Sequence, residues 1–316
     1  MKVKRMIAAL SVIAALALAA LGILWYKNEK GYVEVTDKAD SFPIRAKSAG
    51  KNPQLAESDG PYAIVHTTAG DITILLYPEQ APKAVENFIG LAREGYYDGS
   101  SFYYVKRDTA VQGGRPAAYD AFVKTDAAAK GETPPEDIKE RSFFGDPFED
   151  EFSDELHNFP GAVGMAGAAV NQDANKSQFY FQLEKTKPED EIVIPANLYM
   201  NELIYRRMKE FREKDSANAM TEEEIQTFED ALNEEIQRIG TEGVPQNEQE
   251  RYAPAVEKYK QVGGSWSKDY KYTVFGQIVK GLNVAQAMSE VLVNAADRSP
   301  KKPILINSIE IVDSLR

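Results

Sequence analysis

The sequence predicts a mainly β fold, an antiparallel barrel or sandwich, on three observations. Apolar runs of strand length recur along the chain, at Tyr62–Thr68, Asp71–Tyr77, Ser101–Val111, Gly161–Ala166, Gln178–Leu183, Tyr272–Val279 and Ile304–Val312. Gly, Pro and Asn separate them, as turns between short strands require. Helical periodicity is concentrated in one internal segment and one short stripe, so helices do not organise the fold.

The first two runs flank Ala69-Gly70, the pattern of a tight hairpin. Pro82 then suits the first turn of a helix in which Val85, Phe88, Ile89 and Ala92 share one face. Between Glu184 and Gly264 the texture changes. Met200, Ile204, Met208 and Phe211 mark one helical face, and Ile225, Phe228, Leu232, Ile236 and Ile239 mark another. Thr221 and Glu224 have the spacing of a capping box, and Ser216-Ala217-Asn218 lies between the stripes. The segment 184–263 is therefore expected to form an inserted helical hairpin. It carries 19 acidic and 11 basic residues, most of the chain's net charge of −12.

Composition removes several functions. The 316 residues contain no cysteine and only His66 and His157, which excludes thiol chemistry and an all-histidine metal site. The acidic balance excludes a nucleic-acid partner, because binding phosphates needs a basic face. His66 reads as a half-buried strand residue and His157 as a loop residue. The clusters Glu149-Asp150-Glu151 and Glu222-Glu223-Glu224 lack the spaced ligand loop of a calcium site and read as solvated charge.

Residues 1–27 stand apart. Lys2, Lys4 and Arg5 precede an uncharged run from Met6 to Tyr26, 21 residues that as a helix reach about 30 Å, enough to cross a bilayer. The basic flank belongs in the cytoplasm, and Trp25 and Tyr26 suit the far interface. The rival is a cleaved signal peptide with small residues at Ala17-Leu18-Ala19, but Leu21–Trp25 prolongs the run beyond that point. An uncleaved, single-pass anchor through residues 6–26 is expected, with the rest of the chain extracytoplasmic. Residues 28–60 are expected to be a linker, with Tyr32–Val35 a short strand candidate.

Three stretches together resemble the cyclophilin family of peptidyl-prolyl isomerases. The first is Ala81–Phe88 with Gly95–Phe102 and Val111-Gln112-Gly113-Gly114. The second is Gly164-Met165-Ala166 with Ser177–Phe181, and the third is Tyr272–Gly276 followed by a helix and a terminal strand. The resemblance covers residues 61–183 and 264–316. It implies an eight-stranded antiparallel barrel capped by two helices, with the active groove on the barrel's outer face. It also implies proline-containing, unfolded or exported polypeptides as partners and needs no cofactor.

The chemistry implied is rotation about an Xaa–Pro bond, whose barrier of about 20 kcal/mol comes from amide resonance. A donor aimed at the prolyl nitrogen helps most in the twisted state, where that nitrogen regains its lone pair. In the family this donor is an arginine, and the matching position is Tyr104, in Phe102-Tyr103-Tyr104-Val105. The resemblance makes Gln112 the residue on the carbonyl side. It places Phe102, Ala166, Gly167, Ala168, Gln178 and Tyr180 around the substrate. Apolar family positions become Thr109, Ala110 and Lys268, and the pocket histidine becomes Tyr272. The scaffold is kept while the catalytic tip differs, so weak catalysis is expected. A non-catalytic binding module is the alternative.

Overall fold

The computed structural model describes residues 61–125, 130–166, 173–185, 193–215 and 220–315. The expected anchor, linker and strand at Tyr32–Val35 lie outside them, as do Gly167 and Ala168. No helix among the described residues is long and apolar enough to cross a membrane.

Eight strands form one antiparallel sheet. They are β1 (Tyr62–Thr67), β2 (Gly70–Leu76), β3 (Tyr104–Lys106), β4 (Ala110–Gly113), β5 (Ala162–Met165), β6 (Phe179–Gln182), β7 (Val274–Lys280) and β8 (Ile306–Val312). Their order is β3-β4-β6-β5-β7-β2-β1-β8. The segment just before β3 meets the start of β8. Phe102 N–H donates to Ile304 O at 2.9 Å, Gly99 N–H to Ile306 O at 2.8 Å, and Ile306 N–H to Ser100 O at 2.8 Å. The sheet edges are thereby joined and closed into a barrel.

The first hairpin differs from its expected form by one position. Thr67 pairs with Gly70, so the two-residue tip is Thr68-Ala69 and Gly70 opens β2. The Thr67 hydroxyl holds the turn, donating to Gly70 O at 2.6 Å and accepting from Ala69 N–H at 3.0 Å.

Helices α1 (Pro82–Arg93) and α6 (Leu282–Ser289) bury Val85, Phe88, Leu91, Ala285 and Met288 in the barrel's core. Inside, Phe88 and Phe179 meet edge to face at 5.4 Å, and Phe102 lies 5.4 Å from Phe181. Such buried rings supply large apolar area and favour tilted geometry. Helix α1 has no capping side chain of its own. Glu151 takes that place, accepting from Lys83 N–H at 3.0 Å and Ala84 N–H at 2.9 Å. This member of the acidic cluster is therefore a cap for a distant helix rather than solvated charge. A short helix α2 (Ala117–Phe122) follows β4.

Among its described residues the inserted segment holds three helices where the sequence was read as two: α3 (Val193–Lys214), α4 (Glu222–Glu242) and α5 (Gln246–Val262). Residues 189–253 form one compact unit, and Pro254–Val262 goes with the barrel. Within the insert, Met200, Leu203 and Met208 pack with Leu232, Ile236 and Ile239. Arg207 joins α3 to α4 through Glu235 at 2.8 Å. The capping box is present, with Thr221 Oγ1 accepting from Glu224 N–H at 3.2 Å and Glu224 accepting from Thr221 N–H at 2.7 Å. Helix α5 escapes a sequence reading because Pro254 sits inside it and removes an interior N–H. Its buried stripe Tyr252, Ala255 and Tyr259 nevertheless has helical spacing.

Candidate active site

The outer face of β4, β5 and β6 carries most of the expected site. In the register of β4 with β6, Ala110 opposes Gln182 and Gln112 opposes Tyr180. Across β5, Gly164 opposes Tyr180, where a Cβ would stand 2.6 Å from the tyrosine ring. Glycine at 164 thus makes the space in which the ring of Tyr180 lies. That ring is a buried floor, meeting Tyr272 edge to face at 5.9 Å, and its hydroxyl donates to Asn158 Oδ1. Burial pushes the Tyr180 hydroxyl well above the ordinary tyrosine range, and raises Tyr272 as well.

Beside this floor lies Lys268. Its Nζ stands 4.8 Å from the centre of the Tyr180 ring and donates to Gln182 Oε1 at 2.7 Å. Burial lowers its pKa to about 8, with Glu184 pulling the other way and Lys106 adding to the lowering. The next residue, Asp269, is the hub of a buried network. Its carboxylate accepts from Asn158 N–H at 2.8 Å, Asn158 Nδ2 at 2.9 Å and the Tyr259 hydroxyl at 2.7 Å, and pairs with His157 Nδ1 at 2.7 Å. His157 is 1% exposed, so it is a core residue rather than the loop residue expected. Asn158 connects this hub to the floor, since it also receives the Tyr180 hydroxyl.

The polar end of the groove is built differently from the sequence expectation. Gln112 directs its Nε2 to the hydroxyl of Tyr103, which in turn donates to Gln178 Oε1. Gln112 Nε2 also lies 3.3 Å from Gln178 Oε1, and Gln178 Nε2 donates to Glu140 at 2.6 Å. The guanidinium of Arg115 covers the Tyr103 ring at 3.5 Å, a cation–π contact. Burial raises the Tyr103 pKa well above the usual range, against the opposing pull of Arg115. Tyr104 faces Gln112 in the β3–β4 register and is half-buried, but its hydroxyl makes no hydrogen bond among the described residues.

Both tyrosines face outward because the alternation slips. Phe102 and Val105 are both buried, leaving two outward residues between them. The Tyr103 N–H reaches Gln112 O at 3.0 Å although Tyr104 is the register partner of Gln112. Tyr103 lies one residue before β3, so the regular alternation of the strand does not extend to it.

Phe102 is a correction. It is 0% exposed, packed on Phe179 and Phe181 inside the barrel, and so does not touch the groove. Ala166, at the end of β5, is buried and donates its N–H to Gln178 O at 2.8 Å. Thr109 is half-buried in the β3–β4 turn, its hydroxyl spent on Arg107 O at 3.1 Å. Tyr103, Arg115 and Glu140 were missed by sequence reasoning. Tyr103 lies inside the Phe102–Val105 stretch and Arg115 directly follows Gly114, and a strand slip at Tyr103 was the signal lacking.

The family model described as cyclophilin type peptidyl-prolyl cis-trans isomerase/CLD matches residues 62–202 and 209–311. The chain belongs to that family. A Staphylococcus saprophyticus protein named as a candidate peptidyl-prolyl cis-trans isomerase is 32% identical over 250 residues, 79% of this chain and 91% of its own length. A Streptococcus pyogenes protein named as a candidate bifunctional phosphatase/peptidyl-prolyl cis-trans isomerase is 30% identical over 92% of this chain. The chain spans only 45% of that streptococcal protein. A solved cyclophilin-type isomerase of Cryptosporidium parvum aligns at 17% identity and a TM-score of 0.45, over 80% of this chain and 97% of its own. The chain carries an eight-stranded antiparallel barrel with α1 and α6 packed into its core.

Proposed function

We propose that this cyclophilin is a weak prolyl isomerase acting outside the cytoplasm on proline-containing, exported polypeptides. The observation that carries the catalytic part is the cluster of Gln112, Tyr103, Gln178 and Arg115 beside the aromatic floor of Tyr180. In this reading Tyr180 and Tyr272 receive the proline ring, and Gln112 holds the preceding carbonyl. Positive charge near the prolyl nitrogen comes from Arg115, fixed over Tyr103, and the free hydroxyl of Tyr104 is a neutral second donor. A phenol offers one donor without the charge or fork of a guanidinium, which supports low activity. By comparison with the loss of an oxyanion-hole donor, the deficit is about 10²–10³ in rate.

The test is a protease-coupled assay with an Ala-Ala-Pro-Phe peptide on the full chain and on Gln112→Ala. Acceleration by the native chain that the variant loses supports the reading. Peptide binding without acceleration favours the second reading, a non-catalytic binding module, which Tyr104 at the arginine position and Thr109 and Ala110 at apolar positions support. The membrane and export part rests on residues 6–26. Mass spectrometry of membrane fractions should find the intact N-terminus, and a mature end near Ala20 would contradict an anchor.

A further inference from the structure

The groove holds a cation that no carboxylate of the described residues pairs with directly. Lys268 occupies a position where the family resemblance expects a leucine, and it is largely enclosed. Among the described residues no carboxylate lies within ion-pair distance of its Nζ, and its single hydrogen bond goes to Gln182. An ammonium carries three donors, so two remain open. The amide of Gln182 spends its acceptor on Lys268, while its buried Nε2 has no partner among the described residues. The spot is therefore rich in donors and poor in acceptors. The neighbours add no acceptor there, since Ala110 opposes Gln182 and Thr109 turns its hydroxyl to Arg107.

Burying a cation costs free energy that a partner anion can recover. The lysine is also held in place. Its ring neighbour Tyr180 is tied to Asn158, and the following residue, Asp269, is fixed by four hydrogen bonds from His157, Asn158 and Tyr259. Positioned donors of this kind recognise a carboxylate by charge-assisted hydrogen bonds.

We propose that Lys268 is a specificity residue that selects polypeptides with an acidic side chain directly beside the proline. This rests on the isomerase groove proposed above, in which Tyr180 receives the proline ring. A chain with net charge −12 gains little from general attraction of anions, so the selection is local to the groove. Glu184 and Lys106 are the charged groups that also act on Lys268, with opposite signs.

The experiment is two-dimensional NMR exchange with the full chain on four peptides centred on Ala-Pro, Glu-Pro, Lys-Pro and Pro-Glu, with binding read from shifts in the same samples. The native chain should favour one acidic peptide over Ala-Pro by about fivefold in kcat/KM or in affinity, and should disfavour Lys-Pro. Lys268→Leu and Lys268→Gln should both bring the acidic-to-Ala ratio within twofold. On the native chain alone, the ratio should also fall toward one between pH 7 and pH 9.5. Glu184 and Lys106 are the other charged groups that act on Lys268, and burial raises the pKa of the neighbouring Tyr180 and Tyr272 hydroxyls, which keeps them protonated. A native ratio within twofold, or one that survives both substitutions, overturns the proposal while leaving isomerase activity intact. Acidic preference in binding without catalysed exchange upholds the proposal and removes the isomerase reading instead.

Discussion

Arg115 lies with its guanidinium 3.5 Å above the ring of Tyr103, the residue whose hydroxyl joins Gln112 to Gln178. A cation on that face polarises the phenol and places a charge beside the carbonyl-side glutamine. In the proposed site the positive charge absent at Tyr104 is supplied by Arg115, just beyond the end of β4. Removing it should therefore reduce kcat rather than substrate affinity. Arg115→Ala is expected to lower kcat/KM about tenfold, equivalent to about 1.4 kcal/mol, with Arg115→Lys recovering part of it. Steady-state kinetics on an Ala-Pro peptide would show this, and a pure rise in KM would assign Arg115 to binding alone.

Tyr104 gives the complementary prediction. Tyr104→Arg should raise kcat/KM about tenfold, because charge-assisted hydrogen bonds are roughly twice as strong as neutral ones. Tyr104→Phe should lower the residual rate. Adding Thr109→Phe and Ala110→Met to Tyr104→Arg should increase the gain, since rotation is helped only when the ring is held. An unchanged rate across the series would place Tyr104 outside the working groove.

Stability should respond to pH through Lys268. Its folded pKa, about 8, lies below the 10.5 of a free lysine. Below pH 8 the side chain is charged in both states and its burial cost is fully present. Between pH 8 and 10.5 the folded chain binds fewer protons than the unfolded one, so stability rises. Tyrosines ionising in the unfolded state oppose this from about pH 10, which sets the useful interval at about pH 7–9.5. Urea denaturation of the native chain and Lys268→Met should show the variant's advantage shrinking across that interval. A constant difference would mean that Lys268 keeps an ordinary pKa.

Asp269 should matter more for folding than any groove residue. It is 2% exposed and serves His157, Asn158 and Tyr259 together. Asp269→Ala leaves those donors buried without an acceptor and should cost about 3–5 kcal/mol in a denaturant titration. A cost below 1 kcal/mol would show that the network is not structural.

Much of this was legible in the sequence because β alternation and motif order are local properties. The barrel strands, the Pro82 helix and the Thr221 cap follow from them. What was not legible depends on departures from regular geometry. The slip at Tyr103 turns two consecutive tyrosines outward, so the residue bonded to Gln112 is not the one that motif alignment selects. Phe102 faces the core for the same reason. Helix α5 was hidden by Pro254, and His157 looked like loop because its partner Asp269 lies 112 residues away. Long-range polar pairs leave no periodic trace.

Turnover of Xaa–Pro bonds in this groove can be read by NMR exchange on an Ala-Pro peptide. With catalytic amounts of the full chain, the cis and trans signals should exchange faster than in free peptide, and Gln112→Ala should remove most of the effect. Exchange no faster than in free peptide, with the peptide demonstrably bound, would contradict it.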